Sequence, residues 1–209
     1  MSRYILGFVA LLGMTLSFFT LQPTLAIAAI ANNDDAMKEM VVGDENAQIT
    51  VIEYASLGCP HCANFHMSTY QDIKKNYIDT GKVKFIYRDF PLGTPALAAS
   101  MIARCSGSAK YFGMIDIFFR GQKQWSQAEN PMEALKKIAR FGGMSIADVD
   151  VCLQNQELLD YIQNTARDGG EKHKINSTPS FVVDGETISG GMPYEDFKKI
   201  LDKALNKSI

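Results

Sequence analysis

Two cysteines separated by two residues, Cys59 and Cys62, enclose Pro60 and His61. A pair at that spacing closes into a disulfide and reopens, so the chemistry within its reach is two-electron exchange between thiols and disulfides. Only a thiolate attacks or leaves readily, and the surrounding residues are of kinds that create one. An apolar run over residues 49–57 ends just before Cys59, and a helical pattern begins after it. Cys59 is therefore expected at a helix N-terminus, where unpaired backbone N–H groups and the helix dipole favour an anion. Pro60 suits the first helical turn, because the N–H it lacks would have had no partner there. His61 adds a partial positive charge or a hydrogen bond near the sulfur, and so tunes it together with Pro60. Helix geometry turns Cys62 inward, as the shielded resolving thiol.

Two further features point at the same place. Glu53 lies in the middle of the run Thr50-Val51-Ile52-Glu53-Tyr54-Ala55. An acid inside a buried strand is costly without a task, and accepting the proton of Cys62 is such a task. Far along the chain, Thr178-Pro179 stands just ahead of Phe181-Val182-Val183. A proline in that position is a candidate cis peptide at the start of a strand. The bland readings are a solvated edge-strand acid for Glu53 and ordinary surface or packing roles for His66 and His173.

Strand, dithiol and helix in that order is the setting in which a thioredoxin-type motif has meaning. With Ile52-Glu53-Tyr54, Cys59-Pro60-His61-Cys62 and Thr178-Pro179, the chain from residue 49 onward resembles the DsbA family of bacterial thiol-disulfide oxidoreductases. Threonine before the proline, where the best-known members carry valine, and a second cysteine pair look like marks of a subgroup. The resemblance implies an α/β, thioredoxin-like fold with an inserted helical subdomain, the insertion covering one side of the active-site surface. It implies no cofactor, with Cys59 and Cys62 as the redox-active disulfide and Thr178 and Pro179 as substrate-binding residues. A DsbB-type, quinone-linked membrane oxidant is the implied recharging partner.

The first residues carry a different signal. Arg3 is followed by an uncharged apolar stretch over residues 4–20, and Leu25-Ala26-Ile27-Ala28 ends in an A-x-A pattern. Residues 1–28 read as a secretory signal peptide, with an uncleaved membrane anchor as the alternative. Export places the protein in the periplasm or cell envelope, where disulfides persist. Four cysteines allow three pairings. A C-x-x-C pair at a helix start reacts with itself most readily, which leaves Cys105 with Cys152 as a structural bridge.

The remainder of the chain supplies the frame. At 209 residues, 46% of them hydrophobic, it is long enough to bury a core of its own as one domain. A formal charge of −2 offers nothing to nucleic acid. Residues 29–48 read as an N-terminal leader, polar and frayed over residues 32–42 and turning at Gly43-Asp44-Glu45-Asn46 into the first strand. Residues 49–94 hold a strand, the dithiol, a helix running to about Thr80 and capped at Gly81, and a second strand alternating Val83, Phe85 and Tyr87 with more polar neighbours. Residues 95–170 are helical throughout, with start signals at Asn130-Pro131 and at Ser145 and a stop at Gly142-Gly143. Residues 171–209 complete the thioredoxin-like part with a tight hairpin around Asp184-Gly185 and a last amphipathic helix after Pro193.

The function expected from this is insertion of disulfides into reduced, unfolded exported proteins, through a mixed disulfide at Cys59. A disulfide isomerase or reductase of the same fold is one alternative, although no segment is long enough for the separate dimerisation domain of a DsbC-type isomerase, so a monomer is expected. A non-enzymatic envelope binding protein is another, weakened by the presence of both cysteines. A zinc site of Cys59, Cys62 and His66 lacks a second cluster to complete it, so no metal is expected.

Overall fold

The computed structural model describes residues 30–207. The expected signal peptide and its cleavage site lie outside the described residues. Among the described residues no helix is long and apolar enough to cross a membrane.

The chain opens with a single helical turn, α1 (Asn33–Ala36), and a short strand, β1 (Met40–Val42). Strand β2 (Ile49–Ala55) leads through Cys59 into α2 (Pro60–Met67) and α3 (Thr69–Ile73), which widens into a π-helical turn over Lys74–Ile78. After β3 (Val83–Asp89) come six helices: α4 (Thr94–Cys105), α5 (Tyr111–Arg120), α6 (Gln122–Ser126), α7 (Pro131–Ala139), α8 (Ile146–Leu153) and α9 (Gln156–His173). The hairpin of β4 (Ser180–Val183) and β5 (Glu186–Ser189) precedes the last helix, α10 (Tyr194–Lys207).

The five strands lie in the order β1-β3-β2-β4-β5. β2 and β3 run parallel, as a strand–helix–strand unit requires, and the other pairings are antiparallel. In the centre of this sheet β2 places Glu53 opposite Tyr87 of β3 and Phe181 of β4. One core, with Val51, Phe65, Ile73, Phe85, Phe181 and Phe197, fills the space between the sheet and α2, α3 and α10. A second joins Ala55, Leu57 and both dithiol cysteines to the apolar faces of α4, α5, α7 and α8. The dithiol therefore lies where the sheet core meets the helical insertion. Behind the sheet, α9 crosses Tyr54 at Gly169, where a Cβ would come within 2.4 Å of the tyrosine ring. Only glycine permits that approach.

Three elements depart from the sequence reading. The leader is not frayed: the Asn32 side chain caps α1, and β1 extends the sheet by pairing Met40 with Tyr87. Its polar atoms find partners far along the chain, since Arg104 donates to Ala36 O and Lys38 O, and Asp35 accepts from Ser108. Three apolar residues were too short a run to announce a strand. The helix after the dithiol also fails to run unbroken to Thr80. Ser68 leaves helical geometry (φ −126°, ψ −90°), its hydroxyl donating back to Asn64 O. Finally, α9 continues to His173 and ends at Lys174 in the left-handed conformation, three residues beyond the expected end of the insertion.

Candidate active site

Cys59 is the N-cap of α2 and Pro60 its first residue. The turn ahead of it is held from two sides. Ser56 is buried, its carbonyl accepting from Cys59 N and its hydroxyl from Gly58 N and Leu92 N. Gln122, reaching in from α6, donates to Leu57 O at 2.7 Å and Cys59 O at 2.9 Å. No sequence pattern singled out either residue, because each acts by satisfying backbone groups of a loop whose course only the fold defines.

Both cysteines carry free thiols, and they differ in access. Cys59 keeps 6% exposure and Cys62 none, while Pro60 and His61 stand exposed between them. Opposite the dithiol, the Thr178–Pro179 peptide is cis. The Cys59 thiol donates to Thr178 O at 3.3 Å. The Thr178 hydroxyl beside it is buried and has no partner while Cys59 is a thiol. A cavity of about 430 Å³ opens next to His61, walled by Asn64 and Phe65 of α2 and by Gly191, Met192 and Pro193 ahead of α10.

This arrangement splits the two thiols electrostatically. The Cys62 thiol is the largest influence drawing the Cys59 pKa down to about 5. The Thr178 hydroxyl and the backbone N–H groups of Cys62 and His61 add to the effect and outweigh the burial that opposes it. Cys62 moves the other way. Burial pushes its thiol far up, and the hydrogen bond to Cys59 and the charge of Glu53 push in the same direction.

Glu53 is fully buried on the central strand, which overturns the reading of it as a solvated edge acid. Its Oε2 lies 2.8 Å from His66 Nε2, and its Oε1 has no hydrogen-bond partner. His66 is thus neither a surface residue nor an ordinary packing one. The spacing from Cys62 to His66, one helical turn along α2, was the signal that could have found it. Among the described residues no group of three or more His, Cys, Asp or Glu is arranged to hold a metal ion. Cys105 of α4 and Cys152 of α8 form a disulfide with Cα atoms 6.1 Å apart, tying two helices of the insertion together.

Comparison with known proteins gives this geometry a family. A model described as Thioredoxin matches residues 35–203. The crystal structure of Wolbachia pipientis alpha-DsbA1 superposes with a TM-score of 0.76 at 29% identity, over 82% of this chain and 92% of that one. The chain belongs to the DsbA-type thioredoxin family. A relative from Rickettsia bellii, a candidate protein-disulfide oxidoreductase, is 31% identical over 171 residues, covering 81% of this chain and 66% of its own. The chain thus spans slightly less than two thirds of that relative. BdbD of Bacillus subtilis shares the fold, with a TM-score of 0.72 at 20% identity over 86% of this chain and 98% of that one.

Proposed function

We propose that the chain is an exported thiol-disulfide oxidoreductase that donates the Cys59–Cys62 disulfide to reduced, unfolded proteins of the periplasm or cell envelope. The observation that carries this reading is the environment of Cys59. A thiol with a pKa of about 5 is an anion at neutral pH and a good leaving group. Stabilising that thiolate favours the reduced enzyme, which makes the oxidised form a donor of disulfides.

The steps follow from the asymmetry of the pair. A substrate thiolate attacks the exposed sulfur, Cys59. The Cys59–Cys62 bond breaks, a mixed disulfide forms at Cys59, and Cys62 leaves and takes up a proton. A second substrate thiolate then attacks the substrate sulfur of the mixed disulfide. The substrate disulfide forms and Cys59 departs as its stable anion. Thr178 and Pro179 hold the substrate backbone in extended form beside Cys59, in the manner of an added strand. The cavity beside His61 receives the neighbouring side chains. Glu53 serves Cys62 as its buried proton partner, while Pro60 and His61 set the strength of the oxidant through the helix start. Cys105 and Cys152 are structural. The monomer works without a cofactor and is recharged by a DsbB-type membrane oxidant.

Oxidation of a reduced, unfolded multi-cysteine protein tests this. The oxidised chain should transfer one disulfide per molecule within seconds and end with free Cys59 and Cys62. A chain that leaves the substrate reduced contradicts the reading.

A further inference from the structure

Glu53 is sealed inside the sheet with no exposure, so a proton handed to it by Cys62 needs a way out. The site supplies one candidate exit. The ring of His66 is clamped between Phe119, stacked at 4.5 Å, and Tyr70, tilted at 4.7 Å. The clamp fixes the ring with Nε2 on Glu53 Oε2. The same residue lines a cavity of about 280 Å³ between α3 and α5, walled by Gln71, Phe112 and Gly113 and distinct from the cavity beside His61. Gln71 and Gly113 are exposed, so this cavity reaches the surface, and neither Thr178 nor Pro179 lines it.

We propose that His66 is a proton relay, carrying protons between buried Glu53 and the solvent-filled cavity between α3 and α5. The idea rests on the oxidoreductase reading above and deepens it. When the site recharges, Cys59 is held in a mixed disulfide with its oxidant. The Cys62 thiol gives its proton to the Glu53 carboxylate, and the Cys62 thiolate attacks the Cys59 sulfur. The Cys59–Cys62 bond forms, and the oxidant's sulfur leaves as a thiolate. Glu53 passes the proton along its hydrogen bond to His66, and the imidazolium releases it to solvent in the cavity. In the substrate-oxidising direction the same chain runs backwards and protonates Cys62.

The groups facing His66 leave it free for this work. Tyr87 of β3 and Tyr70 of α3 are phenols, held neutral by burial. On the cavity wall, Arg120 is paired with Asp116 at 2.7 Å and Lys74 with Asp79 at 2.5 Å. The route from Glu53 to the cavity therefore runs through a single imidazole, hydrogen-bonded to Glu53 on one side and bordering the cavity on the other. The cavity at the end of this route shares no lining residue with the one beside His61. His66 touches neither sulfur in this account and acts through Glu53.

The test isolates the closing step. Cys59 is loaded as a glutathione mixed disulfide at low pH. Release of glutathione is then followed by acid quench and mass spectrometry between about pH 5 and about pH 8. The informative variant is His66→Gln, because glutamine keeps a hydrogen-bond donor for Glu53 and cannot ionise. Closure in this variant should slow by about tenfold or more and lose its pH profile, while Cys59 alkylates at the parent pH. Closure at the parent rate overturns the relay, as does a slowed closure accompanied by a shifted Cys59 titration, which would mark His66 as structural. Should the variant not fold, the unmodified protein provides the reading. Its closing rate must follow the ionisation of His66 seen by NMR of the ring, and a rate indifferent to that ionisation overturns the proposal. A parent Cys59 that titrates as an ordinary thiol would instead remove the oxidoreductase reading itself.

Discussion

The sulfur of Cys59 lies 3.3 Å from the carbonyl oxygen of Thr178, a residue 119 positions further along the chain. That contact joins the start of α2 to the cis-proline loop, and the chemistry takes place between them. It also ties the redox state of the dithiol to the energetics of the whole fold.

The first consequence is a stability that depends on redox state and pH. Cys59 has a folded pKa of about 5, below the ordinary thiol value near 8.5, so its anion stabilises the reduced native state. That contribution is complete above about pH 8.5 and is lost as pH falls through about 5. Urea unfolding of the reduced and oxidised proteins should show the reduced form ahead at pH 7 and the gap closing by pH 4. A gap independent of pH would contradict the assignment.

Glu53→Gln should leave alkylation of Cys59 in the reduced protein nearly untouched, since Glu53 influences Cys62 rather than the exposed sulfur. Steps that protonate or deprotonate Cys62 should slow by about tenfold or more. Alkylation of the reduced protein and single-turnover closure of a mixed disulfide separate the two, and a closure rate unchanged by the substitution would count against Glu53 as the proton partner.

Replacing both Cys105 and Cys152 by alanine reopens a loop of 47 residues' separation between α4 and α8. The chain-entropy model puts the cost at about 4 kcal/mol, and less if the reduced chain keeps structure. Urea unfolding measures it. Cys59 should still alkylate at the parent pH, because the bridge stabilises the insertion without contributing to the dithiol.

Arg104 and Asp89 form a buried ion pair at 2.6 Å, with the arginine also holding Ala36 O and Lys38 O. Arg104→Leu strands the Asp89 charge with Tyr111 as its remaining side-chain donor and releases α1 from α4. The expected loss is about 3–5 kcal/mol. Adding Asp89→Leu should recover part of it, and a double variant worse than the single would contradict this account.

Much of this was readable from the sequence, because the decisive residues sit next to strong local signals. The C-x-x-C pair marked the junction of β2 and α2, the Asp184-Gly185 turn marked the hairpin, and Asn130 and Ser145 marked helix starts that the structure caps with those side chains. What escaped depends on contacts distant in sequence. β1 is three residues long and exists because β3 offers an edge, while α1 is held by Arg104 and Ser108 from the insertion. Gln122 matters through two backbone carbonyls of the dithiol loop. His66 looked bland as a lone histidine, and its meaning appears only when β2 brings Glu53 beneath α2.

The central claim is that Cys59 is an anion at neutral pH. Alkylation of the reduced protein across the acid range, with the label mapped to Cys59 or Cys62, measures it directly. The account predicts that Cys59 reacts with a midpoint near about 5 while Cys62 stays protected. A Cys59 midpoint in the ordinary thiol range, near about 8.5, would contradict it.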